Sequence, residues 1–147
     1  MATRALINIV QRQQGRSFSK TLKPSAIHTQ LRKHYDGYPS GLGVTLANYL
    51  SEYDIVNGVP YNYTGFQGPI ANGISCLAAQ LVSYLKDEPG NVYLQPPQDK
   101  TWEDYIYYIW VKEGSRIMIS IFDCEDEQCI FVGDCESLIE KYEYYDR

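Results

Sequence analysis

The strongest constraint on the fold is an alternating, tyrosine-rich stretch in the last third of the chain. Tyrosine, isoleucine, tryptophan and valine fill most positions from Asp104 to Lys112, and a second apolar run extends from Arg116 to Phe122. Aromatic and β-branched residues suit a pleated sheet surface, and the connection Glu113-Gly114-Ser115 has the length and the glycine of a hairpin loop. The sequence therefore predicts a β-hairpin inside a larger sheet, which excludes an all-helical bundle.

Shorter patterns predict the remaining elements. Alternation with period two predicts strands, and apolar residues at helical intervals predict helices. The predicted strands are Arg4 to Val10, Ala26 to Tyr35, Asn91 to Leu94 and Cys129 to Val132; the predicted helices run from Ser40 to about Tyr53, from Ile74 to Leu85 and from an Asp134 cap to Tyr142, with an irregular loop from Asn57 to Asn72. We expect an α+β fold with an antiparallel sheet of four to six strands and about three helices packed on one face.

Length and composition fit one domain that spans residues 1–147. The chain has 147 residues, of which 44% are hydrophobic and 21% are charged, as in ordinary globular domains. No apolar run approaches the ~20 residues that a transmembrane helix needs. The apolar run Ala5 to Val10 is too short for a signal peptide. We therefore expect a soluble, cytoplasmic protein without a membrane partner.

The cysteines do not form a metal-binding pattern. Cys124, Cys129 and Cys135 are separated by four and five residues, Cys76 stands alone, and both histidines lie far upstream. Zinc sites favour closer cysteine pairs with histidine or cysteine partners. The sequence predicts free thiols, no metal site and no cofactor.

Charge is unevenly distributed along the chain. Residues 1–50 carry seven basic side chains against Asp36 alone, whereas residues 51–147 carry six basic and seventeen acidic side chains. A basic segment on an acidic protein can hold an anion, or it can face the acidic part within a subunit or across a dimer. The overall pI of about 5.0 argues against nucleic acid as the main partner, because nucleic-acid-binding domains usually have a pI above ~9.

Tyrosine is in excess, with 14 tyrosines against 4 phenylalanines. A tyrosine ring packs like an apolar group and keeps a hydrated hydroxyl, so the excess suits half-buried sheet faces or a contact surface. Together with the two oppositely charged regions, it predicts a homodimer with a self-complementary contact.

The segment around residues 32–43 is the candidate ligand site. Alternation places His28, Arg32 and His34 on one polar face of the second strand. The glycines that follow allow close backbone approach, and a helix that begins near Ser40 would present free N–H groups to a phosphate or carboxylate. The predicted ligand-binding residues are Arg4, from a neighbouring strand, and Arg32, His34, Tyr35, Asp36, Tyr38, Gly41 and Gly43. The alternative is a folding element in which the glycines only permit tight helix–strand packing.

A catalytic function has less support. The sequence contains no nucleophile elbow, phosphate-binding loop or zinc-protease motif. His34 and Asp36 would share a strand face and could form an acid–base pair in a nucleotide-acting hydrolase or lyase. One such pair is weak evidence, so the sequence favours binding without turnover.

Two segments resemble a widespread family of small phage and prophage proteins. They are Thr3-Arg4-Ala5-Leu6-Ile7, at the first strand, and His34-Tyr35-Asp36-Gly37-Tyr38-Pro39-Ser40-Gly41-Leu42-Gly43, which has that family's His-aromatic-Asp-Gly-Tyr-Pro…Gly pattern before a helix. The hairpin near residue 110 is similar more loosely. The resemblance implies a protein of the infected bacterial cytoplasm.

In a phage context we expect a binding protein that counters host machinery or defence. The basic segment and the glycine-rich helix start favour capture of an anionic, nucleotide-like signal. The acidic later part favours the alternative, an inhibitor that binds a host protein through an acidic, tyrosine-rich surface. A nucleotide-acting enzyme that uses His34 and Asp36, or a virion component, also fits the resemblance.

Overall fold

The computed structural model describes residues 2–10, 24–56, 69–98, 102–112 and 116–144. The predicted hairpin loop Glu113-Gly114-Ser115 and most of the loop predicted from Asn57 onward lie outside these ranges. Within them, the strands are β1 (Ala5–Val10), β2 (Ile27–Lys33), β3 (Asp54–Val56), β4 (Ile70–Asn72), β5 (Val92–Gln95), β6 (Tyr105–Lys112), β7 (Arg116–Asp123) and β8 (Gln128–Asp134), and the helices are α1 (Val44–Leu50), α2 (Gly73–Leu85) and α3 (Cys135–Tyr142).

Six of the strands form one sheet in the order β5-β2-β1-β6-β7-β8. The α+β class, the number of strands in this sheet and the place of the β6–β7 hairpin inside it confirm the prediction. The sheet is mixed, not antiparallel throughout, because β1 and β6 run parallel while the other neighbours are antiparallel. From the edge strand β5, the chain crosses over β2 and β1 to enter β6. A crossover connection of this kind lets β6 run parallel to β1.

The main core lies between one face of the sheet and the helices. Alternate residues of the central strands, such as Ile7 and Ile109, pack in one buried cluster with Leu46 of α1, Leu81 of α2 and Leu138 of α3. The intervening residues point to the other face, since successive side chains of a strand alternate. That second face has its own smaller buried cluster, formed by Leu6, Val10, Ile106, Tyr108, Trp110 and Phe122.

The start of the last helix agrees with the prediction, whereas the first helix differs from it. Asp134 caps α3 as predicted: its carboxylate accepts a 2.9 Å hydrogen bond from the backbone N–H of Ser137, which lowers the pKa of Asp134. The first helix was predicted from Ser40 to about Tyr53. In the structure, Pro39–Gly43 form a π-helical turn, and the α-helix α1 follows from Val44 to Leu50.

The small parallel pair of β3 and β4 was not predicted. Asp54 pairs with Ile70 and Val56 with Asn72, in a segment where the sequence indicated a helix end and an irregular loop. Strands of three residues are too short to show a period-two pattern, so the pairing depends on packing against the rest of the fold.

Candidate functional site

The basic side chains of β1 and β2 meet at one cavity. It has a volume of about 390 Å³ and is lined by Arg4, Arg32, His34, Gln95, Gln98, Trp102 and Glu103. Arg32 is the register partner of Leu6 on β1 and of Tyr93 on β5. Because paired residues share a face, the cavity opens on the sheet face opposite the helices.

Gln95 and Gln98 line the cavity beside β5, where the buried side chain of Gln30 holds them. The side chain of Gln30 has no exposed surface, and its Nε2 donates to Asn8 Oδ1 at 2.9 Å and to the Gln98 carbonyl at 3.1 Å. Its Oε1 accepts from Gln95 Nε2 at 2.6 Å and from the Gln98 backbone N–H at 3.1 Å. These four hydrogen bonds fix residues 95–98 against the central strands and thereby set the position of Gln95 and Gln98.

Within the residues that the structure describes, Arg32 is positioned by an aromatic ring, and it forms no ion pair with a carboxylate. Its guanidinium carbon lies 5.5 Å from the centre of the Tyr93 ring, within cation–π range. Lys86 Nζ lies at the same distance from that ring, and it also donates to the carbonyls of Gly90 and Val92. This contact orients the guanidinium beside the cavity.

Three buried polar atoms at the cavity have no hydrogen-bond partner among the described residues: Arg32 Nε, His34 Nδ1 and Glu103 Oε2. A buried polar atom without a partner costs about 1–3 kcal/mol, and native structures contain few of them. Their concentration in one cavity makes this cavity the strongest candidate for a ligand site.

Arg4 is attached to the start of β6 through its backbone. Its N–H donates to Asp104 Oδ2 at 2.9 Å, and its carbonyl accepts from the backbone N–H groups of Asp104 at 3.0 Å and Tyr105 at 3.3 Å. These bonds bring Trp102 and Glu103, which precede Asp104 in the chain, to the same cavity as Arg4.

The structure brings together three of the eight predicted ligand-binding residues, namely Arg4, Arg32 and His34. Tyr35 and Asp36 follow directly but do not line the cavity. The Tyr35 ring is 52% exposed and meets His34 edge-on, with 4.9 Å between ring centres. Asp36 is exposed and has a left-handed backbone with φ of 58°. Their part in ligand binding stays a prediction.

Tyr38, Gly41 and Gly43 lie apart from the cavity, in the turn before α1. A Cβ on Gly41 would come within 2.6 Å of the Tyr38 ring, and one on Gly43 would lie 3.4 Å from the Tyr107 ring. The N–H of Gly41 already donates to the Tyr38 carbonyl at 3.0 Å. Gly41 is thus packed against a residue of its own turn, whereas Gly43 would allow a Cβ at ordinary van der Waals distance. The part of Tyr38, Gly41 and Gly43 in ligand binding stays a prediction, beside the alternative that the glycines only permit tight packing.

His34 and Asp36 do not form the geometry of an acid–base pair. His34 Nδ1 has no hydrogen-bond partner in the described part of the chain, so no carboxylate orients the ring through that nitrogen. The carboxylate that shares the cavity with His34 belongs to Glu103.

His28 leaves the polar face on which alternation had placed it. Ile9 pairs with Thr29 and Val10 with Ile27, so His28 is the extra residue of a β-bulge. Its Nε2 lies 2.9 Å from the Ser75 hydroxyl of α2. A single bulge thus directs the two histidines of the chain to different sites.

Gln95, Gln98, Trp102 and Glu103 were missed by the sequence interpretation. All four lie in or beside the loop between β5 and β6, which has no periodic pattern. The one available signal was Trp102, a large aromatic residue between polar neighbours ahead of a buried strand. Its side chain is 93% exposed, which is unusual for a tryptophan.

A second, smaller cavity of about 200 Å³ lies near the start of α3. There Arg116 and Asp134 approach to 3.7 Å and neutralise each other. Cys135 also lines it, and burial raises the pKa of the Cys135 thiol to about 12, so the thiol is protonated and unreactive at neutral pH. This cavity is therefore less suited to binding an anion than the first one, because its arginine is already paired with a carboxylate.

Searches for related proteins and for metal clusters gave no further assignment. The chain matches no protein-family model, no curated protein and no solved structure. In the described ranges, no three histidine, cysteine or acidic side chains are placed to share a metal ion, and no helix is long and apolar enough to cross a membrane. The four cysteines are free thiols.

Proposed function

We propose that this protein binds an anionic, nucleotide-like small molecule in the cavity lined by Arg4, Arg32 and His34, and holds it without turnover. The observation that carries the proposal is the pair of buried nitrogens, Arg32 Nε and His34 Nδ1, which have no hydrogen-bond partner among the described residues and lie beside a cavity of about 390 Å³. Cavities of ~300–1,000 Å³ are the usual size for small ligands and cofactors. Among the described residues that line the cavity, Arg4 and Arg32 are opposed by one carboxylate, that of Glu103, so the summed charge of these side chains is positive.

Binding without turnover fits the side chains present. Nucleotide hydrolysis needs a positioned base or nucleophile in addition to charge stabilisation. Among the described residues, no carboxylate orients His34 through Nδ1, and the cavity lining includes neither cysteine nor serine. In the phage context of the sequence resemblance, we propose that the protein acts in the cytoplasm of the infected host and withholds a nucleotide signal from host defence.

The test of this function is titration calorimetry with nucleoside mono- and diphosphates. Charge-assisted hydrogen bonds are worth roughly 1.5–3 kcal/mol, so Arg32→Ala is expected to weaken binding about tenfold or more. Lys112→Ala is the matched control, because Lys112 is an exposed cation outside the cavity and its loss should leave affinity unchanged. Equal weakening by both substitutions would mean that overall charge, and not this cavity, attracts the anion.

Recovery of the ligand separates binding from catalysis. The protein is incubated with each nucleotide and then denatured, and the small molecules are examined by mass spectrometry. We expect intact nucleotide. A changed product would replace the binding function with an enzymatic one in which His34 is the first candidate for a proton donor or acceptor.

We also propose that the protein is a homodimer. Several tyrosines are buried, among them Tyr107 and Tyr108, but others remain exposed, including Tyr93 on the edge strand β5 beside the 65% exposed Leu94. Light scattering at tens of micromolar should give about twice the chain mass of 16.9 kDa. A particle of the single-chain mass at that concentration would refute the dimer and leave the ligand site unaffected.

A further inference from the structure

We infer that the ligand of this cavity is a ribonucleotide, with its phosphate at Arg4, Arg32 and His34, its sugar hydroxyls at Glu103 and its base on Trp102. The inference rests on the proposed function and specifies the parts of the ligand beyond its negative charge. It is carried by Glu103 and Trp102, two residues that anion binding alone does not require.

Glu103 is unfavourable in a site that binds only an anion. Its carboxylate shares the cavity with Arg4 and Arg32 and would repel a phosphate, yet its buried Oε2 has no hydrogen-bond partner in the described residues. An ionised carboxylate accepts hydrogen bonds only. A ligand that satisfies this cavity must therefore carry donors close to its anionic group as well as the anion.

The sugar of a nucleotide meets both conditions. Its 2′- and 3′-hydroxyls belong to the same ribose ring that carries the 5′-phosphate, and acidic side chains bind ribose hydroxyls in dinucleotide-binding folds for the same chemical reason. We place the phosphate at Arg32 Nε and at His34, whose Nδ1 donates in one of its tautomers, and the hydroxyls at the Glu103 carboxylate; all three side chains line the cavity.

Trp102 supplies a surface for the base. It precedes Glu103 in the chain, lines the same cavity and exposes 93% of its side chain. An exposed tryptophan ring can stack on any nucleobase. A stacking contact of this kind is worth about 1–3 kcal/mol per base.

Three probes separate these contributions: AMP, its 2′,3′-dideoxy analogue and ribose 5-phosphate, each titrated by calorimetry. The full-length protein is expected to bind AMP about tenfold or more tightly than the dideoxy analogue. Glu103→Ala should abolish this preference, whereas Glu125→Ala, which removes an exposed carboxylate in the β7–β8 turn, should retain it. Trp102→Ala should abolish the preference for AMP over ribose 5-phosphate and leave the preference for hydroxyls intact.

The outcomes distinguish this inference from the proposed function. Equal affinity for all three probes, lowered by Arg32→Ala, would overturn the ribonucleotide and keep the anion site. A hydroxyl preference that survives Glu103→Ala would overturn the role of Glu103. Absence of binding by every probe at millimolar concentration would overturn both. Thermal melting of each variant shows whether a lost preference reflects the ligand contact or a loss of folding.

Discussion

Alanine at position 37 is expected to lower the free energy of unfolding by about 2–3 kcal/mol, the upper range for an overpacked core. A Cβ there would lie 2.7 Å from Ala5 Cβ and 2.9 Å from the Ala5 backbone nitrogen. Neither atom can move alone, because Ala5 is fully buried in β1. Gly37 is itself held on both sides: its N–H donates to the Thr3 carbonyl at 2.9 Å, and its carbonyl accepts from the Tyr107 hydroxyl at 2.7 Å.

Urea denaturation measures this cost, with Gly41→Ala as the matched control. A Cβ on Gly41 would also be crowded, but by the distal ring atoms of Tyr38, a side chain that can rotate away. We expect the control to lose less than about 1 kcal/mol. An unchanged urea midpoint for Gly37→Ala would show that the turn can move away from β1, and the close approach would then be without consequence for the fold.

Gln30→Leu is the second substitution with a large expected effect, a loss of about 3 kcal/mol in the free energy of unfolding. Leucine has a similar volume but removes four hydrogen bonds at a side chain with no exposed surface. Asn8 Oδ1, with Asn8 only 2% exposed, and the backbone N–H of Gln98 would lose their partner. Each buried polar group left unpaired costs about 1–3 kcal/mol.

The double variant Asn8→Leu/Gln30→Leu tests the mechanism. Removing both partners of a buried hydrogen bond is often nearly neutral, so the double variant is expected to lose less stability than the sum of the two single losses, although Asn8→Leu also removes a hydrogen bond to Tyr108. Gln128→Leu, on the exposed end of β8, serves as the surface control and should stay within about 0.5 kcal/mol of the parent. A Gln30→Leu protein as stable as the parent would mean that water replaces the lost partners.

Local patterns predicted a good part of the candidate site. Alternation along β2 placed Arg32 and His34 on one polar face, and the first strand was expected to bring Arg4 beside them; the structure has all three on one cavity. Alternation fails where a bulge intervenes, as at His28, because one extra residue reverses the faces that follow. The loop residues Trp102 and Glu103 could not be found by any periodic pattern.

Local sequence patterns were sufficient to predict the main strands and helices, the β6–β7 hairpin, the cap of α3 and the faces of the long strands apart from the bulge at His28. These features depend on neighbours within a few residues, where side-chain period, turn residues and capping hydrogen bonds act. Two features could not be predicted from local patterns and are seen only in the folded structure: β6 runs parallel to β1, and β5 lies at the edge of the sheet beside β2. Strand order and register depend on which apolar faces pack together over long chain distances, and that packing places Glu103 beside Arg4, 99 residues away in the sequence.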